Sequence, residues 1–305
     1  MDHATHIANQ IVSQFDPAVI QRAIALYESS PAEFTSYQQD PVVFCEKYFN
    51  ETYTDDVKAL MESVRDHEVT IGVSANATGK SHGASRVAIW FYKSHPGAQV
   101  YMAAAPPFTN LENILWGHIE DIYNRYSLFE ADEKTSLKIS ASPVSFIAGL
   151  TIPTSGTSHQ REAKFSGKHA PYLLFIVDEG DAVPDEVYRG IESCMSGGLK
   201  VRLLIMFNPR HESGEVYRMI RDKEANVVHL SAFNHPNVRG GKDVIPGAVT
   251  QEATVRRINK WCRPLVTGEE SNGECFDLPP FLVGAVAKDR KGAPYAPLKP
   301  GWYKI

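Results

Sequence analysis

Two short stretches of this sequence carry residue types able to handle a phosphate group. The first is Ser74-Ala75-Asn76-Ala77-Thr78-Gly79-Lys80-Ser81. A glycine followed by lysine and a hydroxyl residue closes a phosphate-binding loop. Gly79 lets the backbone approach phosphate closely, the Lys80 ammonium reaches the β- and γ-phosphates of a nucleotide, and the Ser81 hydroxyl ligates Mg²⁺. The second stretch is Tyr172-Leu173-Leu174-Phe175-Ile176-Val177-Asp178-Glu179, an apolar run that ends in two carboxylates. There Asp178 would hold Mg²⁺, directly or through water, and Glu179 would orient and activate the water attacking a γ-phosphate. Ser74 stands where the simplest form of the loop has its first glycine, a departure of one residue. A lone Gly-Lys-Ser is weak grounds, and an acidic turn at a strand end is common. The two in this order, each after an apolar strand, are much less ordinary.

A third stretch is Val201-Arg202-Leu203-Leu204-Ile205-Met206-Phe207-Asn208-Pro209. Asn208, at the end of a buried strand beside the acidic one, is placed to sense a γ-phosphate. Asn-Pro is also a good strand-ending turn, and the two readings weigh about equally.

The elements that must position these residues follow from the apolar pattern. Val69–Val73 reads as a buried strand, followed by the small-residue loop and a helix over Ser81–Lys93. Gln99–Ala104 reads as a strand ended by Pro106-Pro107, and Leu111–Tyr126 as a helix with Leu111, Ile114, Leu115, Ile119 and Ile122 on one side. Leu137–Ile139, Phe146–Ile147 and Leu150–Ile152 read as short strands of a hairpin extension. Val187–Met195 is a helix opened by Pro184 and Asp185, and Val227–Leu230 is one more strand. Strand and helix alternate from 68 to 231, which predicts an α/β fold with a mostly parallel sheet and helices on both faces; the phosphate-loop stretch makes it a P-loop NTPase sheet. Ligands of such a sheet gather at the carboxyl ends of its strands. Ahead of it the spacing of Ile7, Ile11 and Phe15, and of Val57, Leu60, Met61 and Val64, is helical. Behind it Gly and Pro loosen the chain around one helix at Gln251–Trp261. The expected division is a helical packing or lid segment over 1–65, an ATPase core over 66–235 and an extension over 236–305.

The bulk composition bounds the function. The 305 residues are 43% hydrophobic and 22% charged, the mix of a chain that buries a real core. No apolar run approaches a membrane span, and Met1–His6 has neither the basic flank nor the apolar core of a secretion signal. Cys45, Cys194, Cys262 and Cys275 are scattered, without a Cys-x-x-Cys pair for zinc or redox chemistry. The net charge of −5 argues against a surface coated in cations for non-specific DNA binding. Local basic patches exist at Arg256-Arg257 with Lys260 and Arg263, and at Lys288–Lys291; solvated surface charge explains them about as well as a nucleic-acid contact.

The ordered set Ser74–Ser81, Phe165–Ala170, Leu173–Glu179 and Leu203–Pro209, together with Leu230–Val238, resembles the ATPase domain of tailed-bacteriophage large terminase subunits over roughly residues 50 to 305. The resemblance implies a P-loop sheet of the ASCE type and a Mg²⁺-dependent ATPase that couples ATP hydrolysis to translocation of double-stranded DNA into a procapsid. It implies Asp178 as the Mg²⁺-associated acid, Glu179 as the catalytic glutamate and Asn208 in a coupling motif. It also implies a homo-oligomeric ring on the capsid portal protein, a small terminase subunit as partner, no membrane, and the host-cell cytoplasm as location. A basic residue of one subunit completes the neighbour's site in this family. Arg161 is the first candidate and Lys168 the alternative, because guanidinium suits phosphate better. The sequence departs from the family at Asn76, where many members have arginine, and in lacking an upstream adenine-contacting glutamine near Val57. Residues 236–305 are too few for the nuclease domain of RNase H type, so no nuclease activity is expected and the extension reads as leading toward a nuclease domain outside this sequence. The rival readings are a helicase-like translocase, which needs a second motor lobe or further motifs, and a poorly hydrolysing nucleotide switch, which has no need of Glu179.

Overall fold

Strands that are apolar on both faces have to be covered on both faces. The computed structural model describes residues 16–18, 20–21, 32–210, 212–266 and 268–305; the helical spacing of Ile7, Ile11 and Phe15 lies outside them. Among these residues the chain forms two compact units. The first holds the residues up to Tyr53, Val57–Ser74 and Lys80–His229, and the second holds Thr54–Asp56, Ala75–Gly79 and Leu230–Ile305.

The first unit is built on an eight-stranded sheet. Its strands are β1 (Val69–Ser74), β2 (Gln99–Ala104), β3 (Glu133–Thr135), β4 (Lys138–Ser142), β5 (Ser145–Gly149), β6 (Tyr172–Asp178), β7 (Lys200–Phe207) and β8 (Asn226–Leu230), in the order β3-β4-β5-β2-β6-β7-β1-β8. β5, β2, β6, β7 and β1 run parallel to one another, while β3 and β4 add an antiparallel extension. One strand, β7, lies between β1, which ends at Ser74, and the acidic strand β6. This is the ASCE-type P-loop sheet expected from the sequence. The register sets Ala104 beside Asp178, Asp178 beside Met206, and Val73 beside Phe207, so the carboxyl ends of four strands lie level. The third expected extension strand, Leu150–Ile152, does not form. Leu150 N–H donates to Met102 O at 2.7 Å, and the chain then leaves the sheet ahead of Pro153, which has no N–H to continue the ladder.

Helix α1 spans Pro41–Phe49, α2 Asp55–Asp66 and α3 Lys80–Ser94. In α3, Val87, Ala88, Ile89, Trp90 and Phe91 have no exposed surface, as befits a helix apolar all round. Each large side chain so buried contributes about 1.5–3 kcal/mol. Gly83 lets α2 approach closely, since a Cβ there would lie 3.1 Å from Val57 Cγ1. The expected helix at 111–126 is wound as a π-helix over Asn110–Trp116 and continues as α4 (Gly117–Arg125). Helices α5 (Ser158–Phe165) and α6 (Asp185–Met195) cross where Gly190 stands, and a Cβ there would lie 2.5 Å from Glu162 O. A short α7 (Glu215–Arg221) precedes β8.

The second unit has a core of its own despite its Gly and Pro content. Val238, Val249, Val255, Ile258, Leu278, Leu282, Ala287, Leu298 and Tyr303 pack together. They come from α8 (Pro236–Gly240), α9 (Gln251–Trp261), intervening turns and a small antiparallel sheet of β9 (Arg263–Pro264), β10 (Cys275–Asp277) and β11 (Trp302–Lys304). The polar residues of Leu230–Val238 serve this local fold. Asp56 accepts from Ser231 N–H at 2.8 Å and from Asn234 Nδ2 at 3.0 Å. Asn237, fully buried, bonds both N–H and C=O of Ile245 at 2.8 Å.

Candidate active site

β6 is buried along almost its whole length, and it delivers Asp178, only 3% exposed, to the level where β1 and β7 end. The next residue, Glu179, has φ 51° and ψ 45°, a left-handed backbone that costs a non-glycine residue about 1–2 kcal/mol. Such strain persists only where the surroundings hold it. Here a 3₁₀ turn over Gly180–Ala182 follows at once, and Tyr188 OH donates to Gly180 O at 2.7 Å. A Cβ on Gly180 would run into Ile205 Cγ2 and come within 2.8 Å of the Tyr188 hydroxyl. Only glycine lets the turn lie so close to β7.

At the start of α3, Lys80 Nζ donates to Asp178 Oδ1 at 3.2 Å and to Glu179 Oε1 at 2.8 Å. Ser81 Oγ donates to Asp178 Oδ2 at 3.1 Å, and the Glu179 N–H to Asp178 Oδ1 at 3.0 Å. Burial pulls the Lys80 pKa down, but attraction to Asp178 and the bonds to Glu179 outweigh it and hold the ammonium above its ordinary value. Lys80, Asp178 and Glu179 line a pocket of about 220 Å³ with Ala105, Pro106, Asn110 and Arg210. That volume suits a phosphate group rather than a whole nucleotide. Among the described residues no group of three or more His, Cys, Asp or Glu side chains could hold a metal ion. The Ser81 hydroxyl and Asp178 carboxylate are nevertheless hard oxygen donors. They fit Mg²⁺, which takes one or two carboxylates and completes its shell with phosphate and water.

In the second unit the loop Ala75–Gly79 is pinned through its backbone. Ala75 N–H donates to Leu230 O at 3.0 Å, and Val249 N–H donates to Ala77 O at 2.8 Å. Thr78 Oγ1 donates to Ala75 O at 2.9 Å. Ala77 at φ 62° and Gly79 at φ 98° both carry left-handed backbone. Asn76 is exposed.

The remaining sequence candidates are placed variously. Asn208 Nδ2 donates to Ser74 O at 2.6 Å, tying the end of β7 to the end of β1. Arg161 lies on α5, whose start is fixed by a capping box between Thr157 and Gln160. Its guanidinium bonds Gly156 O and Glu186 Oε1, both at 3.1 Å. Lys168 Nζ sits 5.6 Å from the centre of the Tyr101 ring. Neither Arg161 nor Lys168 bonds Asp178 or Glu179.

Among the described residues Arg210 also reaches the pair, its Nη2 lying 3.2 Å from Glu179 Oε2. Sequence reasoning stopped two residues short of it, at Asn208. The signal was there, because whatever follows β7 must emerge beside the end of β6. A second unforeseen cluster anchors α3. Arg86, 3% exposed, donates to both oxygens of Glu51 at 2.9 and 2.5 Å, and His82 Nε2 lies 3.3 Å from Glu51 Oε2. Burial raises the Glu51 pKa, but the bonds from His82 and Arg86 outweigh it and hold the carboxyl well below its usual range.

Comparison with known proteins adds a relative. No family model matches the chain. A protein of Enterobacteria phage P7 named "Probable terminase, large subunit" is 26% identical over 193 residues, covering 59% of this chain and 37% of its own length. The resemblance to phage large terminases holds. Among solved structures, a mutant of the Thermus phage P74-26 large terminase ATPase domain aligns over 62% of this chain and 85% of its own, with TM-score 0.44 and 16% identity. The large terminase of a second thermophilic bacteriophage, in complex with ADP, aligns over 58% and 44%, with TM-score 0.44 and 14% identity. The match to the phage P7 protein spans little more than a third of that relative. No helix among the described residues is long and apolar enough to cross a membrane.

Proposed function

We propose that this chain is the ATPase of a viral DNA-packaging motor, hydrolysing ATP to drive double-stranded DNA into a procapsid. The observation that supports it best is the meeting of Lys80 and Ser81 with Asp178 and Glu179 at the carboxyl ends of β1 and β6. The name of the phage P7 relative points the same way.

Each residue has a chemical task in this reading. The loop Ser74–Ser81 cradles the phosphates with backbone N–H groups, and Lys80, kept charged, binds the β- and γ-phosphates. Ser81 and Asp178 present the oxygens that hold Mg²⁺, which when bound neutralises charge on those phosphates. Glu179 orients the attacking water and draws off its proton. Asn208, joined to Ser74, links the end of β7 to the phosphate loop and so couples hydrolysis to motion. Arg161, or alternatively Lys168, completes the site of a neighbour in a homo-oligomeric ring. The ring works on the portal protein with a small terminase subunit, in the host-cell cytoplasm.

The test is steady-state ATP hydrolysis by the purified chain across a range of protein concentrations, with and without duplex DNA, beside Glu179→Gln. Turnover that requires Glu179, rises more than linearly with protein concentration and is stimulated by duplex DNA is the expected result. Turnover equal in the variant would refute the assignment.

A further inference from the structure

Two basic stretches that stand about thirty residues apart in the sequence meet in the second unit. Arg256, Arg257 and Lys260 ride on α9, and Arg290 and Lys291 sit in a tight loop. That loop is held rigidly: Asp289 N–H donates to Ala293 O at 2.8 Å, and Asp289 Oδ1 accepts from the N–H groups of Lys291 and Ala293 at 2.8 and 2.9 Å. Arg256 Nε donates to Lys288 O at 2.7 Å and so fastens the loop to the helix. Between them opens a groove of about 550 Å³, lined by Arg256, Arg257, Lys260, Trp261, Arg290 and Lys291 and also by Asp289 and Tyr295.

The charge is one-sided. Arg256 is paired with Glu252 at 2.8 Å, and Asp289, the one carboxylate among the described residues that line the groove, accepts through Oδ1 from the N–H groups of Lys291 and Ala293. Arg257, Lys260, Arg290 and Lys291 form no ion pair among the described residues. Arg257, Lys260, Arg290 and Lys291 against the single carboxylate of Asp289 leave a formal excess of three positive charges lining one concavity, on a chain of net charge −5, and so a positive local field. Trp261 stands 56% exposed at the same place, with Lys260 Nζ 5.8 Å from its ring centre. An exposed tryptophan among cations is spare contact surface of the kind that a partner covers. Arg263, counted with these residues in the sequence, is excluded: its Nη1 and Nη2 are bound to Glu269 at 2.7 and 2.6 Å.

We infer that this groove binds the phosphodiester backbone of DNA, with Arg257 and Arg290 as the principal phosphate contacts from its two sides. Guanidinium groups pair with phosphate oxygens in fork geometry, and two of them on rigid, cross-tied elements keep that geometry without ordering a loop. The choice of duplex DNA as the polyanion rests on the packaging reading. The cationic groove itself does not.

The test is equilibrium binding of a fluorescent DNA duplex to the full chain without ATP, over a series of salt concentrations. For Arg257→Ala/Arg290→Ala the affinity should fall at least tenfold. The slope of log K against log salt should become shallower by about two, on the order of 0.9 for each phosphate no longer neutralised. Arg257→Lys/Arg290→Lys should recover most of the slope, and Arg263→Ala should bind as the parent does. Unchanged affinity and slope in the double alanine variant would overturn the proposal, as would an equal loss in Arg263→Ala. A loss confined to single-stranded DNA, shared by Trp261→Ala, would overturn the duplex assignment. DNA-free ATP hydrolysis, measured on the same samples, separates the two readings. Groove variants that lose DNA binding support the groove even if the chain hydrolyses no ATP, and an active ATPase whose DNA binding ignores the groove refutes the groove alone.

Discussion

Arg210 donates through Nη2 to Glu179 Oε2 over 3.2 Å, while Lys80 holds the other oxygen of the same carboxylate at 2.8 Å. The two pairs differ in strength. The Arg210 side chain is 56% exposed, so water and salt screen its pair, whereas the Lys80 side chain is 15% exposed. A carboxylate that is to accept a proton from water must free an oxygen, and Arg210 is the partner that releases at small cost. In the proposed ATPase reaction its guanidinium, which lines the same pocket as Lys80, would then stabilise charge on a transferring phosphoryl group.

Arg210→Ala should therefore lower kcat for ATP hydrolysis, by on the order of tenfold to a hundredfold, with KM for ATP changed much less. Arg210→Lys should recover part of the loss. Steady-state kinetics of the three proteins at saturating ATP decide it, and an unchanged kcat would reduce the Arg210–Glu179 pair to a surface ion pair.

For Glu179→Gln the shape of the side chain is kept and its basicity lost. Hydrolysis should fall by about a hundredfold or more, while nucleotide binding stays within a few-fold of the parent. Nucleotide titration followed by fluorescence, paired with single-turnover hydrolysis, separates the two quantities. Equal loss of both would mean that Glu179 supports the fold of the pocket rather than the reaction.

Lys80→Ala acts on the other side of the same pair. It removes the cation that would bind the β- and γ-phosphates, and it leaves the exposed Arg210, on Glu179 alone, as the remaining countercharge to Asp178 and Glu179 among the described residues. Affinity for ATP should drop at least tenfold, with a smaller loss for a nucleotide that lacks the γ-phosphate. Isothermal titration with both nucleotides is the check, and equal affinity in variant and parent would remove Lys80 from the phosphate site.

Most of the sheet was legible because its strands announce themselves. Leu173–Val177 and Leu203–Phe207 are unbroken apolar runs, and a strand buried on both faces leaves little else to be. The acidic pair was legible for the same reason, as the first polar residues after such a run. Arg210 was not, because an arginine in a polar turn looks like any solvated charge until the register of β7 against β6 puts it beside Glu179. The Glu51 cluster was hidden by distance along the chain, since Glu51 and Arg86 are joined only when α3 packs against the segment before α2. The second unit was under-read. Its glycines and prolines looked like linker, while its apolar residues are too scattered along the chain to show a period and meet only in three dimensions.

Gly180→Ala tests the geometry that holds Glu179. The added methyl group collides with Ile205 Cγ2 and crowds the Tyr188 hydroxyl, so the turn must shift away from β7. Overpacking of this kind costs about 1–3 kcal/mol. The thermal midpoint should fall by several degrees, and hydrolysis should fall further than the loss of folded protein explains, because Glu179 moves with the turn. A variant with full activity per folded molecule would show that the left-handed conformation at Glu179 is incidental.

The Glu51 cluster makes a prediction about pH. The carboxyl is held below its ordinary value of 4.5 because the bonds from His82 and Arg86 outweigh the opposing effect of burial. A group whose folded pKa is depressed contributes stability that is present above its unfolded pKa and is lost as the pH falls toward the folded value. The contribution should therefore be present at neutral pH and decline below about pH 4.5. Glu51→Gln leaves the buried Arg86 guanidinium without its countercharge, which should cost about 3 kcal/mol at neutral pH. Because Glu51 of the unfolded parent takes up a proton below about pH 4.5 while the folded carboxylate keeps its ion pair, the parent's advantage shrinks and the gap between the two proteins should narrow as the pH falls toward about 3. Urea unfolding of both across this range measures the gap directly. Parallel curves, with a constant difference at every pH, would mean that Glu51 acts through packing and that its charge contributes nothing to anchoring α3.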